Sequence, residues 1–174
     1  HSSLHDIEHI VCGHLNIPEQ VKQDVMAVYG LIAEAESHAH GVPVTEIHFH
    51  EVGTMDAVAD ITAVCLLMNK IAPDQVIVSP VHVGSGQVRC AHGILPVPVP
   101  AVTHIVQQCG LNLRITPVQG ELVTPTGAAI VAAVRTSCKL PETFAIEKTG
   151  IGAGKRTYEC PGILRAMLIH PEES

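Results

Sequence analysis

Between Pro18 and Gly41, apolar residues recur every three to four positions, at Val21, Val25, Val28, Leu31 and Ile32. That period predicts one long helix, with proline accommodated in its first turn and glycine ending it. The next stretch, TEIHFHEV at 45–52, alternates instead. Ile47 and Phe49 fall on one face and His48 and His50 on the other, as in a strand. Residues 56–71 read as a buried helix with Thr54 at its N-cap. A strand is predicted at 76–79, and a second extended piece runs into the turn Gly84-Ser85-Gly86. LPVPVPA, at 95–101, is extended but proline-rich, so it is an edge or a connection. A helix follows at 101–109, closed by Gly110, and LNLRITPV reads as a strand. TPTGAAIVAAVRTS is a helix with Thr124 at the N-cap and Pro125 at its first position. FAIEKTG and GILRAMLIH are two late strands. The alternation predicts a single α/β domain over 1–174, with helices packed on a mixed sheet. The last two strands form an antiparallel hairpin across GIGAGKRTYECPG.

Composition sharpens this picture. The chain is 47% hydrophobic and 16% charged, yet aromatics amount to two Phe, two Tyr and no Trp. The core must therefore be aliphatic. A formal charge of -7 excludes the basic footprint of a nucleic-acid binder. The six cysteines are scattered without a CxxC pair, which predicts free thiols and a cytoplasmic setting. No apolar run is long enough to span a bilayer. Twelve residues are histidine, four of them His1, His5, His9 and His14. His5 and His9 share one helix face, either as a weak metal clip or as a solvated surface.

Candidate chemistry concentrates in a few places. His48 and His50, side by side on one strand face, are a partial ligand set for a first-row transition metal, and Glu51 is next to them. Asp56 and Asp60 lie four apart on the following helix. Asp60, set in AVADITAV, reads as a buried carboxylate, which needs a partner or a cation. The structural alternative is a cap for Asp56 and a backbone partner for Asp60. His92, in the loop RCAHGILP, is a third ligand or a substrate contact, and Arg89 upstream can hold an anion. His82 reads as structural. Thr124, Thr126 and Gly127 open a helix whose N-terminus suits a phosphate or carboxylate, although a plain Thr-Pro cap explains Thr124 alone. GIGAGKR is not a P-loop, because Thr149 and Arg156 stand where the motif needs Gly and Ser/Thr. It leaves Lys155 and Arg156 as a basic turn able to touch a phosphate.

Taken in order, HFHEVGTMDAVADI, SPVHVGSGQV, AHGILPVPVPA, ELVTPTGAAI and IGAGKR resemble the LarC family of nickel insertion proteins, from about Ser2 to the C-terminus. The resemblance implies a nickel chelatase of the lyase type. Its members insert Ni²⁺ into pyridinium-3,5-bisthiocarboxylic acid mononucleotide, completing the nickel-pincer cofactor of lactate racemase and related enzymes. It also implies CTP as co-substrate with Mg²⁺ or Mn²⁺, and a homo-oligomer. Family members carry an acidic glycine-rich start, often a His-rich tract, and a C-terminal nucleotide-binding domain, so the chain is expected to be a central fragment. On this reading His48, His50, Glu51 and His92 receive the metal. Asp56 and Asp60 complete the set or orient the imidazoles. Arg89, Thr124, Thr126, Gly127, Lys155 and Arg156 hold the substrate phosphate. Three other readings stand beside it. The first is a non-catalytic metal-delivery module that binds through its N-terminal histidines, and the second a metal-dependent phosphohydrolase. The third is an assembly segment, suggested by a mean hydropathy of +0.31.

Overall fold

The computed structural model describes residues 2–172, so His1 lies outside the described residues. The chain opens with a two-residue strand β1, Ser2–Ser3, and helix α1, Leu4–Gly13. Ser3 and Asp6 form a reciprocal capping box at the start of α1. Helix α2, Glu19–His40, follows Pro18 and ends where Gly41 takes the left-handed φ of 66°. The region read as an eight-residue strand is shorter than its alternation predicts. It contains a 3₁₀ turn at Val44–Glu46 and then a two-residue strand β2, His48–Phe49, paired antiparallel with β1. The face assignment holds nonetheless, with Ile47 4% and Phe49 2% exposed while His48 and His50 face outward.

Helix α3, Met55–Ile71, is capped by the Thr54 hydroxyl. The strand predicted at 76–79 reduces to an isolated parallel bridge between Ile77 and Ser137. Strand β3, Val81–Ser85, is followed by the hairpin of β4, Gln87–Cys90, and β5, Gly93–Pro96. Helix α4, Pro100–Cys109, strand β6, Leu113–Gln119, and helix α5, Pro125–Val134, come next. Strands β7, Phe144–Ala153, and β8, Ile163–Pro171, form the expected antiparallel hairpin.

The molecule is α/β, with its helices gathered around α2, which packs against α1, α3, α4 and α5. Val21, Val25, Val28, Tyr29 and Ile32 are fully buried on α2, as its apolar stripe requires. Ala128 and Ala129 bring α5 close to it. Among the described residues the strands are divided over four two-stranded ladders, of which β3–β6 is parallel and the other three are antiparallel. One close approach positions the site. A Cβ on Gly84 would lie 1.9 Å from the Gly120 carbonyl oxygen, so only glycine fits there. Gly120 in turn donates its N–H to Ser85 at 3.0 Å, which fixes where Glu121 and the start of α5 emerge.

Candidate functional site

A cavity of about 360 Å³ lies where α2, β2, the β4–β5 hairpin, α5 and the β7–β8 connection meet. Its residues come from five separate stretches of chain. Glu36 and His40 are four apart on the last turns of α2, so both project from one face. His48, His50 and Glu51 come from β2 and the turn that follows. Strand β2 ends at Phe49, which frees Glu51 from strict alternation and lets it line the same cavity. Arg89, Cys90 and His92 come from the hairpin, Thr124 and Thr126 from the start of α5, and Arg156 from the connection. Glu121 lines the cavity as well.

His92 sits in the two-residue turn of the hairpin, whose register pairs Cys90 with Gly93. Gly93 closes that turn at a φ of 101°, a backbone conformation that favours glycine. The turn places the His92 ring 4.7 Å from that of His40 and 5.7 Å from that of His50, centroid to centroid. His40 Nε2 is 3.2 Å from the nearer Glu36 carboxylate oxygen. Ligand atoms of Glu36, His40 and His92 all lie within 4.8 Å of one another, the one such group of three among the described residues.

The anion-binding features share this cavity. Thr124 Oγ1 accepts the N–H of Gly127 at 3.1 Å, capping α5. Pro125 has no N–H and that of Gly127 is taken by the cap, so Thr126 supplies the first-turn donor. Arg156 donates to Glu121 Oε2 at 3.1 Å, and Tyr158 donates its hydroxyl to the Glu121 carbonyl. Hydrogen bonds to Tyr158 and then Glu121 hold the Arg156 proton more firmly than usual. These contacts tie the β7–β8 connection to the cavity wall.

The structure thus brings together His48, His50, Glu51, Arg89, His92, Thr124, Thr126 and Arg156. Asp56, Asp60, Gly127 and Lys155 lie outside the lining. The expectation of a buried Asp60 is corrected, because Asp56 and Asp60 are both exposed on α3. The core face of that helix is Val58, Ile61, Thr62 and Cys65, and Asp60 falls outside it. Glu36 and His40 escaped the sequence reading, although a carboxylate and an imidazole at i and i+4 on a helix were the signal for them. His38, between them in sequence, turns elsewhere and stacks on His104 at 4.4 Å.

No helix among the described residues is long and apolar enough to cross a membrane. A family model described as nickel insertion protein matches residues 1–174. The chain is 45% identical over 169 residues to a pyridinium-3,5-bisthiocarboxylic acid mononucleotide nickel insertion protein of Alkaliphilus metalliredigens, covering 97% of this chain and 40% of that protein. A protein of the same name from Clostridium kluyveri is 42% identical over 172 residues, 98% of this chain and 42% of its own length. One from Staphylococcus saprophyticus is 36% identical over 174 residues, 100% of this chain and 44% of its own length. The chain therefore spans about two fifths of the length of the curated relatives it matches. No solved structure matches it significantly. The family match across all 174 residues, in agreement with these relatives, makes the chain a member of the nickel insertion protein family.

Proposed function

We propose that this chain holds nickel and the phosphorylated pyridinium ring in one cavity, and that nickel enters the ring's thiocarboxylate groups there. One observation carries the reading: a single cavity is lined both by imidazoles and carboxylates and by a helix N-terminus with two arginines. The first set suits a divalent first-row metal. The second suits a phosphate, through the Thr126 backbone N–H, a threonine hydroxyl and guanidinium donors. The relatives' names supply the substrate, pyridinium-3,5-bisthiocarboxylic acid mononucleotide, and nickel as the metal inserted.

In this reading His48, His50, Glu51 and His92 belong to the metal wall, and Arg89, Thr124, Thr126 and Arg156 to the phosphate wall. Arg156 is held by Glu121 until a phosphate competes for it. Lys155, next to Arg156 on an exposed connection, adds positive charge outside the lining. Asp56 and Asp60 take no part, and Gly127 serves the cap. The family resemblance brings in CTP with Mg²⁺ or Mn²⁺, a lyase-type reaction and a homo-oligomer, and no residue here is assigned to them. The free thiols of all six cysteines support a reducing, cytoplasmic setting.

The test is calorimetric titration of the nickel-free chain with the mononucleotide. Arg156→Ala and Thr126→Ala are each expected to weaken binding at least about tenfold, about 1.4 kcal/mol. A wild-type chain that does not bind the mononucleotide would remove the reading.

A further inference from the structure

We propose that Glu36, His40 and His92 are the nickel ligands, a three-point seat whose remaining coordination positions open into the cavity. The proposal deepens the insertion reading and rests on it for the identity of the metal. It rests on geometry for the ligands.

Bonds of about 2.1 Å from metal to ligand place adjacent ligand atoms about 3 Å apart. Glu36 and His40 already stand 3.2 Å apart, and His92 completes the group within 4.8 Å. Only small side-chain rotations are needed to close on an ion. The backbones that carry the ligands are well fixed. Glu36 and His40 ride on the helix at the centre of the packing. His92 is fixed by a two-residue turn with a defined register.

Two imidazoles and one carboxylate are a recurrent ligand set for divalent first-row metals and leave open positions. Reactive metal sites keep an open position where structural ones are closed. Sulfur atoms of an incoming thiocarboxylate can enter the open positions before the protein ligands leave. Handover is then ligand exchange, with nickel divalent throughout. Side-chain exposures of 21% for Glu36 and 41% for His40 put the seat at the cavity wall, within reach of such a ligand. His50, with its ring 5.7 Å from that of His92, stands beside the seat. The seat also links α2 to the β4–β5 hairpin, so nickel should stabilise the chain as well as bind it.

The experiment titrates Ni²⁺ alone into the intact chain, without mononucleotide. One tight site per chain is expected, with a rise in melting temperature. Glu36→Gln, His40→Ala and His92→Ala should each weaken it at least about tenfold. Circular dichroism confirms that each variant folds. His5→Ala/His9→Ala, on α1, should remove only weak additional binding. X-ray absorption at the nickel edge of the loaded wild-type chain should count two imidazoles per ion. That readout does not depend on any variant folding. Loss of the tight site in His48→Ala/His50→Ala, with the three seat variants unaffected, would overturn the proposal, as would an imidazole count of none. So would wild-type protein without a tight site. Each of these failures leaves mononucleotide binding, measured separately, to decide the insertion reading.

Discussion

Tyr29 buries its whole ring on α2 and packs it against Phe49, centroid to centroid at 5.6 Å. Its hydroxyl donates to the carbonyl of Val52 at 3.0 Å. That bond ties the helix carrying Glu36 and His40 to the turn carrying His50 and Glu51. Tyr29→Phe keeps the ring and deletes the donor, leaving a part-buried carbonyl with one partner fewer. The expected cost is about 1–2 kcal/mol, read as a lower urea midpoint at unchanged slope. An unchanged midpoint would show that water replaces the hydroxyl. At this scale the sequence was readable where a side chain's direction follows from local period. The outward pair His48 and His50 was legible for that reason, and so was the Thr124 cap. Asp60 was misread because hydropathy averaged over neighbours hides which face a residue occupies. Glu36 and His40 were overlooked because their meaning depends on His92, which the fold brings from more than fifty positions away in sequence.

Elements with internal signals were easier to place than elements that need a distant partner. The five helices among the described residues begin or end at residues suited to those positions, among them Ser3, Gly41, Thr54, Gly110 and Thr124. The strand expected at 76–79 has its partner near 137, and Thr136 Oγ1 takes the Val76 N–H at 2.8 Å, so no continuous ladder forms there. Distance in sequence also conceals how α4 is finished. Arg135, just past the end of α5, donates to the carbonyls of Gly110, at 2.9 Å, and Cys109. Those are carbonyls at the end of α4 that the helix itself leaves unsatisfied, and the guanidinium also meets the negative end of the helix dipole. Arg135→Met preserves the aliphatic stem and removes both hydrogen bonds. It is expected to cost about 1–2 kcal/mol, measured by chemical denaturation. Because α4 and α5 both pack on α2, hydrogen exchange should also quicken at the C-terminal turn of α4. Unaltered exchange there would mean that other groups satisfy those carbonyls.

For the molecule as a whole, the aliphatic core built around α2 makes stability sensitive to alkali. Cys65 is 1% exposed, and burial pushes its thiol from 9.0 up to about 11. Burial likewise raises the Tyr29 hydroxyl from 10.0 to about 12. In both groups the protonated form is neutral, and the core favours it. Above pH 9 the unfolded chain releases the Cys65 proton while the folded chain still holds it. The contribution is therefore fully present below pH 9 and disappears as pH rises from 9 toward 11. Tyr29 follows between about 10 and 12. Each tenfold difference in proton affinity between the folded and unfolded chain is worth about 1.4 kcal/mol, so loss of the Cys65 contribution amounts to about 2–3 kcal/mol. Urea denaturation under reducing conditions at pH 8, 9.5 and 11 measures the slope. Other groups titrate in the same range, so the comparison is between wild type and Cys65→Ala. The variant starts less stable, because it leaves space in the core, but its stability should fall less steeply between pH 9 and 11. Tyr29→Phe should flatten the curve only above about pH 10. Parallel slopes in wild type and Cys65→Ala would show that the thiol reaches solvent in the folded chain.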